Sequence, residues 1–347
     1  MMVDTEKKVV VSGRVRLARN YADLPFSTHG DTPQAHTCIQ RALAAMQDSA
    51  SGTYTLRCLK DTSPTDQLAL VEQHLISKDL LHNRESGAAL IRQDEQISIM
   101  VNEEDHLRIQ ALVHGLDLEG AAQEAFQVEE ALERIHSFSF DPQLGYLTSC
   151  PTNTGTGLRA SLMLHLPMLD RFKQMGNVNQ SVAKLGLTLR GIYGEGSEAL
   201  GSVYQVSNQV TLGRKEHDIV EAVTVVGRQL IAMENRLRQR CMQNHATELK
   251  DAIMRSYGIM RYAVSMDEKE LMQHWSNLRL GAALEWIPHS IDVIDQLLTT
   301  AQDAHVRQFM HRRELTVDVK EARCMVIQET LTDSTSLLGA QVSPDSE

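Results

Sequence analysis

The segment from Cys150 to Arg159 combines a thiol, two glycines and an arginine, residue types that could bind and position a ligand. Gly155 and Gly157 lack a Cβ atom, so the backbone can pass close to another molecule at these positions. The apolar run that follows predicts a helix from Leu158 to Phe172, whose N-terminus would attract an anion. Phosphate is the anion that these features favour.

The same segment also permits a purely structural interpretation. Pro151 and Asn153 are common turn residues, and Cys150 could be a small, buried apolar side chain. Short motifs match by chance often enough that this segment alone does not decide between a turn and a ligand site.

Two arginines alternate with apolar residues in the segment SGRVRLARN, residues 12–20. On a strand, Arg14 and Arg16 would point to the same face of the sheet. Their guanidinium groups could then bind phosphate oxygens with a bidentate geometry that lysine lacks. The alternative is a solvated strand edge.

Acidic and glycine-rich segments follow two predicted strands. Alternating apolar residues predict strands over residues 97–101 and 185–189. The first leads into NEEDHLR, residues 102–108, where a glutamate could act as a general base or bind a cation. The second leads into RGIYGEGSE, residues 190–198, which lacks the Gly-Lys-Ser/Thr of a P-loop. Either segment could also be a solvated loop.

His74 lies in the apolar stretch VEQHLIS, residues 71–77, which is predicted to be helical. A histidine on such a helix is more often packed against the core than functional. The pattern by itself therefore favours a structural role for His74.

Composition limits the classes of protein to which the chain can belong. With 347 residues, 42% of them hydrophobic, it can form one large core and a smaller domain. A net charge of −11 and an aromatic content of 4% argue against nucleic-acid binding. Five cysteines without a CxxC pair predict reduced thiols and no metal held by the protein. No apolar stretch reaches the length of a membrane span, and we predict a cytoplasmic protein.

The organisation of the chain changes near residue 244. Before it, strand patterns alternate with helical ones, including predicted helices over residues 121–136 and from His217 onward. After it, only helical patterns are clear, over residues 268–284, 291–301 and 319–331. The sequence therefore predicts a mixed domain followed by a helical one.

Five segments together resemble the guanidino phosphotransferases, and more narrowly the bacterial protein-arginine kinases. They are SGRVRLARN, VEQHLIS, SIMVNEEDHLRIQ, GYLTSCPTNTGTGLRASLMLHLP and RGIYGEGSEALGSVYQVSNQVTLG, in this order between residues 9 and 240. The resemblance implies an α+β fold in which residues 1–242 form a guanido-kinase catalytic domain with a central antiparallel sheet flanked by helices. It further implies an all-helical C-terminal domain for substrate binding and dimerisation over residues 243–340, and a flexible tail over residues 341–347.

The resemblance also implies roles for individual residues. The groups that would bind ATP, which Mg²⁺ accompanies, are Arg14, Arg16, His74, Arg108, Arg159 and Arg190. Glu104 would be the catalytic carboxylate, Glu195 would hold the acceptor guanidinium, and Cys150 would orient it rather than act as a nucleophile. A carboxylate is needed because a guanidinium group, whose pKa is far above neutral pH, has no free lone pair with which to attack phosphorus.

The function implied by the resemblance is transfer of the ATP γ-phosphate to arginine side chains of protein substrates. The process would be linked to the stress response and to Clp protein quality control. The implied partners are proteins with exposed arginines, a zinc-finger activator, a Clp ATPase or repressor, and a second copy in a homodimer. Small-molecule phosphagen kinases carry a helical domain before the catalytic region, and its absence from this sequence favours an arginine presented by another protein.

Two positions depart from the family pattern. The phosphoarginine-binding motif Arg-Asp-x-x-Arg-Ala is replaced by VKEARC, residues 319–324, in which only Arg323 matches. This departure predicts the loss of activation by phosphoarginine, and it supports an alternative in which the protein is a catalytically weak, kinase-like scaffold for a repressor or Clp component. Gly13 stands where the family has serine, which predicts the loss of a hydroxyl near the nucleotide. A small-molecule guanidino kinase is a third alternative.

Overall fold

The structure, a computed structural model, describes residues 2–26, 32–47, 49–193 and 199–339. Its strands are β1 (Val10–Arg19), β2 (Tyr54–Cys58), β3 (Ala88–Arg92), β4 (Ile97–Val101), β5 (Leu107–Val113), β6 (Phe140–Asp141), β7 (Gly145–Tyr146), β8 (Leu158–His165), β9 (Leu187–Tyr193) and β10 (Ala199–Asn208). Eight of them form one sheet in the order β2-β3-β4-β5-β1-β8-β10-β9, with every neighbouring pair antiparallel. The other two, β6 and β7, form a separate hairpin.

Helices are interspersed with strands along the first part of the chain, and the elements after β10 are all helices. They are α1 (Met2–Lys7), α2 (Pro33–Gln47), α3 (Pro64–Glu72), α4 (Leu118–Glu133), α5 (Pro167–Arg171), α6 (Met175–Lys184), α7 (Glu216–Asn244), α8 (Ala246–Tyr262), α9 (Glu268–Ala283), α10 (Ile291–Thr300), α11 (Asp303–Arg312) and α12 (Val319–Gly339). None of the helices described here has an apolar stretch long enough to cross a bilayer. The predicted α+β fold, with an antiparallel sheet and a helical C-terminal region, is confirmed.

One face of the sheet is covered by helices and forms the main core. Val15 and Leu17 of β1 are fully buried there, among apolar side chains of α2, α4 and α7. Because side chains alternate along a strand, the intervening residues of β1 lie on the opposite face. That second face is the one that carries the polar residues described below.

The predicted helix from Leu158 to Phe172 is wrong. Residues 158–165 form β8, and only the short helix α5 follows it. β8 lies between β1 and β10 in the middle of the sheet, so most of its residues are buried, whichever face they point to. A buried central strand reads as a continuous apolar run, which periodicity alone does not distinguish from a buried helix.

Most of the other predicted elements have a counterpart in the structure, although α12 continues to Gly339 instead of ending near residue 331. β4 covers residues 97–101 as predicted, whereas β9 begins at Leu187 instead of Leu185. The predicted helices correspond to α4 and α7 in the first region and to α9, α10 and α12 in the second. Side-chain caps support several helix starts, for example Asp267, which accepts a hydrogen bond from the backbone nitrogen of Glu270.

The C-terminal helices enclose a second core and also hold the sheet. Trp275 of α9 is fully buried at the centre of this core, and its indole nitrogen donates to the Ile294 carbonyl oxygen at 3.0 Å. Arg279, one turn further along α9, donates to the carbonyl oxygens of Lys8 and Val10 at 3.1 and 3.0 Å. The helical region is therefore bonded directly to the first residues of the central strand β1.

Candidate active site

Five arginines lie on one face of the central sheet. Arg16 of β1 is directly opposite Gln110 of β5 and Arg159 of β8. In an antiparallel pair, residues that face each other point to the same side of the sheet. The same register places the whole set on the face opposite the main core: Arg14, Arg16, Arg108, Arg159 and Arg190.

This arginine face has far more positive than negative charge. The pKa of Arg16 is lowered by burial and by the nearby charges of Arg14 and Arg108, and its Nε atom is buried without a hydrogen-bond partner. Burial, Arg190 and Arg108 likewise lower the pKa of Arg159. Within the described part of the chain, Arg16, Arg159 and Arg190 form no ion pair with a carboxylate. Such a cluster is suited to a ligand with several negative charges, such as a polyphosphate.

His74 lies at the edge of the arginine face, and the prediction that it is part of a helix is wrong. α3 ends at Glu72, and His74 has a φ of 60°, while the Leu75 nitrogen bonds the Leu70 carbonyl oxygen at 3.0 Å. This is the left-handed residue of a helix-ending motif, a conformation that a sequence without glycine does not signal. Burial and the charge of Arg14 lower the pKa of His74 to about 4, so the ring is neutral at pH 7.

A carboxylate loop, residues 102–106, begins where β4 ends. Glu103 is 3% exposed, and it accepts hydrogen bonds from Arg108 Nη1 at 2.5 Å and from the Ser77 hydroxyl. Its second oxygen accepts from the backbone nitrogen of Glu104 at 3.0 Å. Glu103 is therefore fixed inside the protein, where it orients both Arg108 and the next residue.

Glu104 is more accessible than its neighbour. Its side chain is 41% exposed, and one oxygen lies 3.4 Å from Arg108 Nη2 and 3.3 Å from Asn153 Nδ2. The Arg108 contact joins Glu104 to the arginine face, and the Asn153 contact joins it to the loop that carries Cys150. Glu104 is thus placed to contact a ligand bound between the two.

The Cys150 loop, residues 148–156, is held from three sides. Asp105 Oδ1 accepts from the Ser149 nitrogen at 2.7 Å, and the Thr211 hydroxyl donates to the Thr154 carbonyl oxygen at 2.7 Å. The Gly155 nitrogen bonds the Tyr146 carbonyl oxygen at 3.1 Å. Gly155 has a φ of 115°, and a Cβ atom there would lie 2.6 Å from the Thr211 carbonyl oxygen. Gly155 therefore permits a close approach to the chain's own backbone at Thr211, and the predicted approach to a ligand stays a prediction.

Cys150 is half-buried, and its Sγ atom lies 3.0 Å from the Thr152 hydroxyl. Burial, Arg190 and Arg108 lower the pKa of Arg159, and the nearby Cys150 and Glu104 side chains oppose this change, so all three side chains lie near one another. The structure thus brings together Glu104, Cys150 and the five predicted arginines. Glu195 lies outside the described residues, so its predicted role stays a prediction.

Sequence reasoning missed two residues of the site and misplaced one. Glu103 and Asp105 flank Glu104, and their burial rather than their type distinguishes them from a solvated acidic turn.

Gly13 lies on the core face, because it is opposite Val113 and Leu162. A Cβ atom at Gly13 would lie 2.9 Å from the Val113 side chain. A serine at this position would not face the arginines, so the predicted loss of a hydroxyl at the nucleotide is wrong.

The one residue that matches the phosphoarginine motif is already engaged inside the protein. Arg323 is 1% exposed, donates to the carbonyl oxygens of Ala301 and Met266, both at 2.8 Å, and pairs with Asp303. Its guanidinium group connects α12 to the start of α11 and to the segment before α9.

Comparison with known proteins agrees with this geometry. Residues 35–237 match the family model of the ATP:guanido phosphotransferase C-terminal catalytic domain, and residues 246–341 match that of the protein-arginine kinase McsB C-terminal domain. The chain is 42% identical over 332 residues to the protein-arginine kinase of Caldanaerobacter subterraneus subsp. tengcongensis, a match that covers 94% of this chain and 98% of that one. It is 40% identical over 332 residues to the protein-arginine kinase of Shouchella clausii, with coverages of 94% and 92%.

Solved guanidino kinase structures have a similar fold. The duplicated taurocyamine kinase from Schistosoma mansoni with bound transition-state-analogue components aligns with a TM-score of 0.60 and 26% identity, over 73% of this chain and 37% of that one. A lombricine kinase aligns with a TM-score of 0.59 and 24% identity, over 67% and 68% of the two chains. The chain therefore belongs to the ATP:guanido phosphotransferase family and, within it, to the protein-arginine kinases. The resemblance on which the predictions rested is confirmed.

Proposed function

We propose that this protein transfers the γ-phosphoryl group of ATP to arginine side chains of protein substrates. The observation that carries this proposal is the meeting of the arginine face with Glu104 beside the Cys150 loop. The names of the relatives, which match almost the whole chain, support the same substrate class.

The arginine face would bind the phosphates of ATP. Guanidinium groups on neighbouring strands are held by the sheet, so they would bind the transferring group without reorganising during the reaction. His74, which is neutral at pH 7, would add a contact to the nucleotide without adding charge. Mg²⁺ would enter with ATP, held by phosphate oxygens and water, and would offset the charge that develops on them.

The acceptor arginine would lie between Glu104 and the Cys150 loop. Glu104 would hold the cationic guanidinium group, align one nitrogen with the γ-phosphorus and accept the proton as the N–P bond forms. The bond between the γ-phosphorus and the β,γ-bridging oxygen would break in the same step, with ADP as the leaving group. Glu103 would keep Arg108 and Glu104 in position through the bonds described above. Glu195 would hold the other side of the guanidinium group, and Cys150 would orient it.

The cellular setting belongs to the same proposal. We propose a cytoplasmic enzyme that acts in the stress response and in Clp protein quality control, with a Clp ATPase or a repressor as a partner. A zinc-finger protein would serve as activator, and the helical region would join two copies into a homodimer. These proposals rest on the resemblance to the protein-arginine kinases.

The test is a comparison of three proteins in one transfer assay. Wild type, Glu104→Gln and the control Glu95→Gln, an exposed glutamate in the turn between β3 and β4, are incubated with Mg-ATP and an unfolded protein. The amount of phosphoarginine formed is then quantified by mass spectrometry under non-acidic conditions. Wild type and the control should form it at equal rates, whereas Glu104→Gln should be slower by about 10²- to 10⁴-fold, the usual range for loss of a general base. Equal rates for Glu104→Gln and wild type would exclude Glu104 as the base.

A scaffold function is the second candidate, and the environment of Arg323 is the observation that favours it. The guanidinium group of Arg323 already binds two carbonyl oxygens and Asp303, so it is not available to a phosphoarginine ligand in this arrangement. A scaffold would bind ATP but form no phosphoarginine with any substrate or activator. Isothermal titration with ATP, run beside the transfer assay, separates the two functions.

A further inference from the structure

Two exposed apolar surfaces flank the Cys150 loop. One is on the hairpin of β6 and β7, where Phe140 and Leu144 are 57% and 47% exposed. The other is in the turn after β10, where Val210 and Leu212 are 46% and 49% exposed. Single exposed apolar residues are common, but here two pairs lie on segments that contact the same loop, and clustered exposed apolar residues mark interaction sites. We call these four residues the apolar rim.

The elements that carry the apolar rim are bonded to the loop itself. Tyr146 of the hairpin exchanges two backbone hydrogen bonds with Gly155, at 2.8 and 3.1 Å. On the other side, the Thr211 hydroxyl donates to the Thr152 carbonyl oxygen at 3.1 Å, and Thr211 directly precedes Leu212. The rim is therefore fixed relative to Cys150, which is two residues before Thr152.

The hairpin is also held in its own shape. Asp141 Oδ1 accepts from the backbone nitrogens of Gln143 and Leu144 at 2.8 and 2.9 Å, which closes the turn. The Phe140 ring packs edge-on against Tyr146 with 5.2 Å between centroids. A rigid apolar surface loses little conformational entropy when it binds, so it can contribute to affinity.

We propose that the apolar rim binds the polypeptide on either side of the arginine to be phosphorylated, and that it selects unfolded segments with an apolar side chain near that arginine. This inference rests on the proposed function, because a protein substrate that delivers its arginine to Glu104 must pass over the loop next to the rim. An extended chain advances about 3.3 Å per residue, so side chains two or three positions from the arginine can reach the rim. In a folded protein most large apolar side chains are buried, so an unfolded segment presents them near an arginine more often than a folded surface does.

The experiment compares two peptides of equal length and charge as substrates of the full-length enzyme with Mg-ATP. In one, arginine is flanked by glycines; in the other, leucines stand two positions before and after it. Wild type should phosphorylate the leucine peptide with a kcat/KM about tenfold higher, the factor expected when one leucine side chain is partly buried. The double variant Phe140→Ser with Leu212→Ser should lose this preference and keep its kcat/KM for the glycine peptide.

The control is the double variant Tyr262→Ser with Val264→Ser, two exposed apolar residues of the helical region, which should retain the preference. A rim variant that still prefers the leucine peptide, or a wild type without preference, would overturn the rim as a docking site. If the rim variant changes only the sedimentation coefficient, the rim is a contact between copies of the chain, and the inference is also wrong. Failure of wild type to phosphorylate either peptide, with ATP binding intact, would instead overturn the proposed function.

Discussion

Two regions of this molecule differ in whether their arginines pair with carboxylates. At the junction between the sheet and the C-terminal helices, Arg279 pairs with Asp295 at 2.8 Å and Arg238 pairs with Glu234 at 2.8 Å, and both also bond backbone carbonyl oxygens. On the arginine face, Arg16 and Arg159 have no carboxylate partner among the described residues, and burial and the neighbouring arginines lower the pKa of both.

The arginines at the junction therefore stabilise the fold, whereas those on the arginine face are suited to bind an anionic ligand. A buried charge is costly unless carboxylates and hydrogen bonds compensate it, and the junction supplies both. The arginine face supplies neither in full, so part of its electrostatic cost is offset only when an anion binds. Substitutions on the arginine face should therefore lower the rate of phosphoarginine formation, whereas substitutions at the junction should lower the free energy of unfolding.

The largest expected effect is on catalysis. Arg159→Met removes a cation from the arginine face, and we expect kcat for phosphoarginine formation to fall by about 10³-fold, as for other arginines that stabilise a transferring phosphoryl group. Stability should stay constant or rise, because the substitution removes repulsion from Arg190 and Arg108. Rates and thermal unfolding are measured together, with Arg307→Met on α11 as control. A large loss of stability in Arg159→Met would contradict the comparison.

The next effect is on stability at the junction. Glu234→Ala leaves Arg238 buried without its carboxylate, and we expect the free energy of unfolding to fall by about 3 kcal/mol. A matched control exists in the pair of Glu130 and Arg134, which has the same four-residue spacing and a 2.9 Å contact but side chains that are 67% and 72% exposed. Glu130→Ala should cost at most about 0.5 kcal/mol in urea unfolding. Equal losses of unfolding free energy in the two variants would show that burial does not determine how much these ion pairs stabilise the protein.

A smaller effect is expected where α3 meets α11. Glu72 accepts from the backbone nitrogens of Ala304 and His305 at 2.7 and 3.1 Å, so it caps the N-terminus of α11 from another part of the chain. Glu72→Gln should lower the free energy of unfolding by about 1 kcal/mol. Thermal unfolding measures this loss, with Glu124→Gln as control, because Glu124 is a 44% exposed carboxylate that pairs with Arg92. An unchanged midpoint would show that the cap contributes nothing.

The smallest effect at neutral pH is expected at His74, where a change in stability develops only as the pH falls. Its pKa is lowered from 6.5 to about 4, mainly by burial, so the unfolded chain takes up this proton before the folded one. The stability linked to His74 is therefore complete above pH 6.5 and is lost as pH falls toward 4. In an NMR titration the ring should stay neutral down to about pH 5. Bound ATP should raise the pKa, because phosphate offsets the charge of Arg14; a pKa near 6.5 without ligand would contradict this account.

The sequence predicted which side chains share a face of the sheet better than it predicted the local structure around them. Strand alternation alone placed Arg14 and Arg16 on one face, and the register of β1 agrees. The prediction of local structure failed at β8, because burial on both faces hides the alternation that predicts a strand. It also failed at His74, because this residue ends α3 in a left-handed conformation without being a glycine. It also had no means to tell buried Glu103 from exposed Glu104, because burial depends on contacts with distant residues such as Ser77.

The sequence by itself determined the family, the types of the candidate site side chains and their alternation along each strand, since these depend on residues close together in the chain. Only the tertiary structure decided which strands lie side by side. The order β5-β1-β8-β10-β9 assembles one arginine face from four strands that are far apart in sequence. It also decided which arginines have carboxylate partners, because the pairing of a buried charge is a property of the space around it and not of its neighbours in the chain.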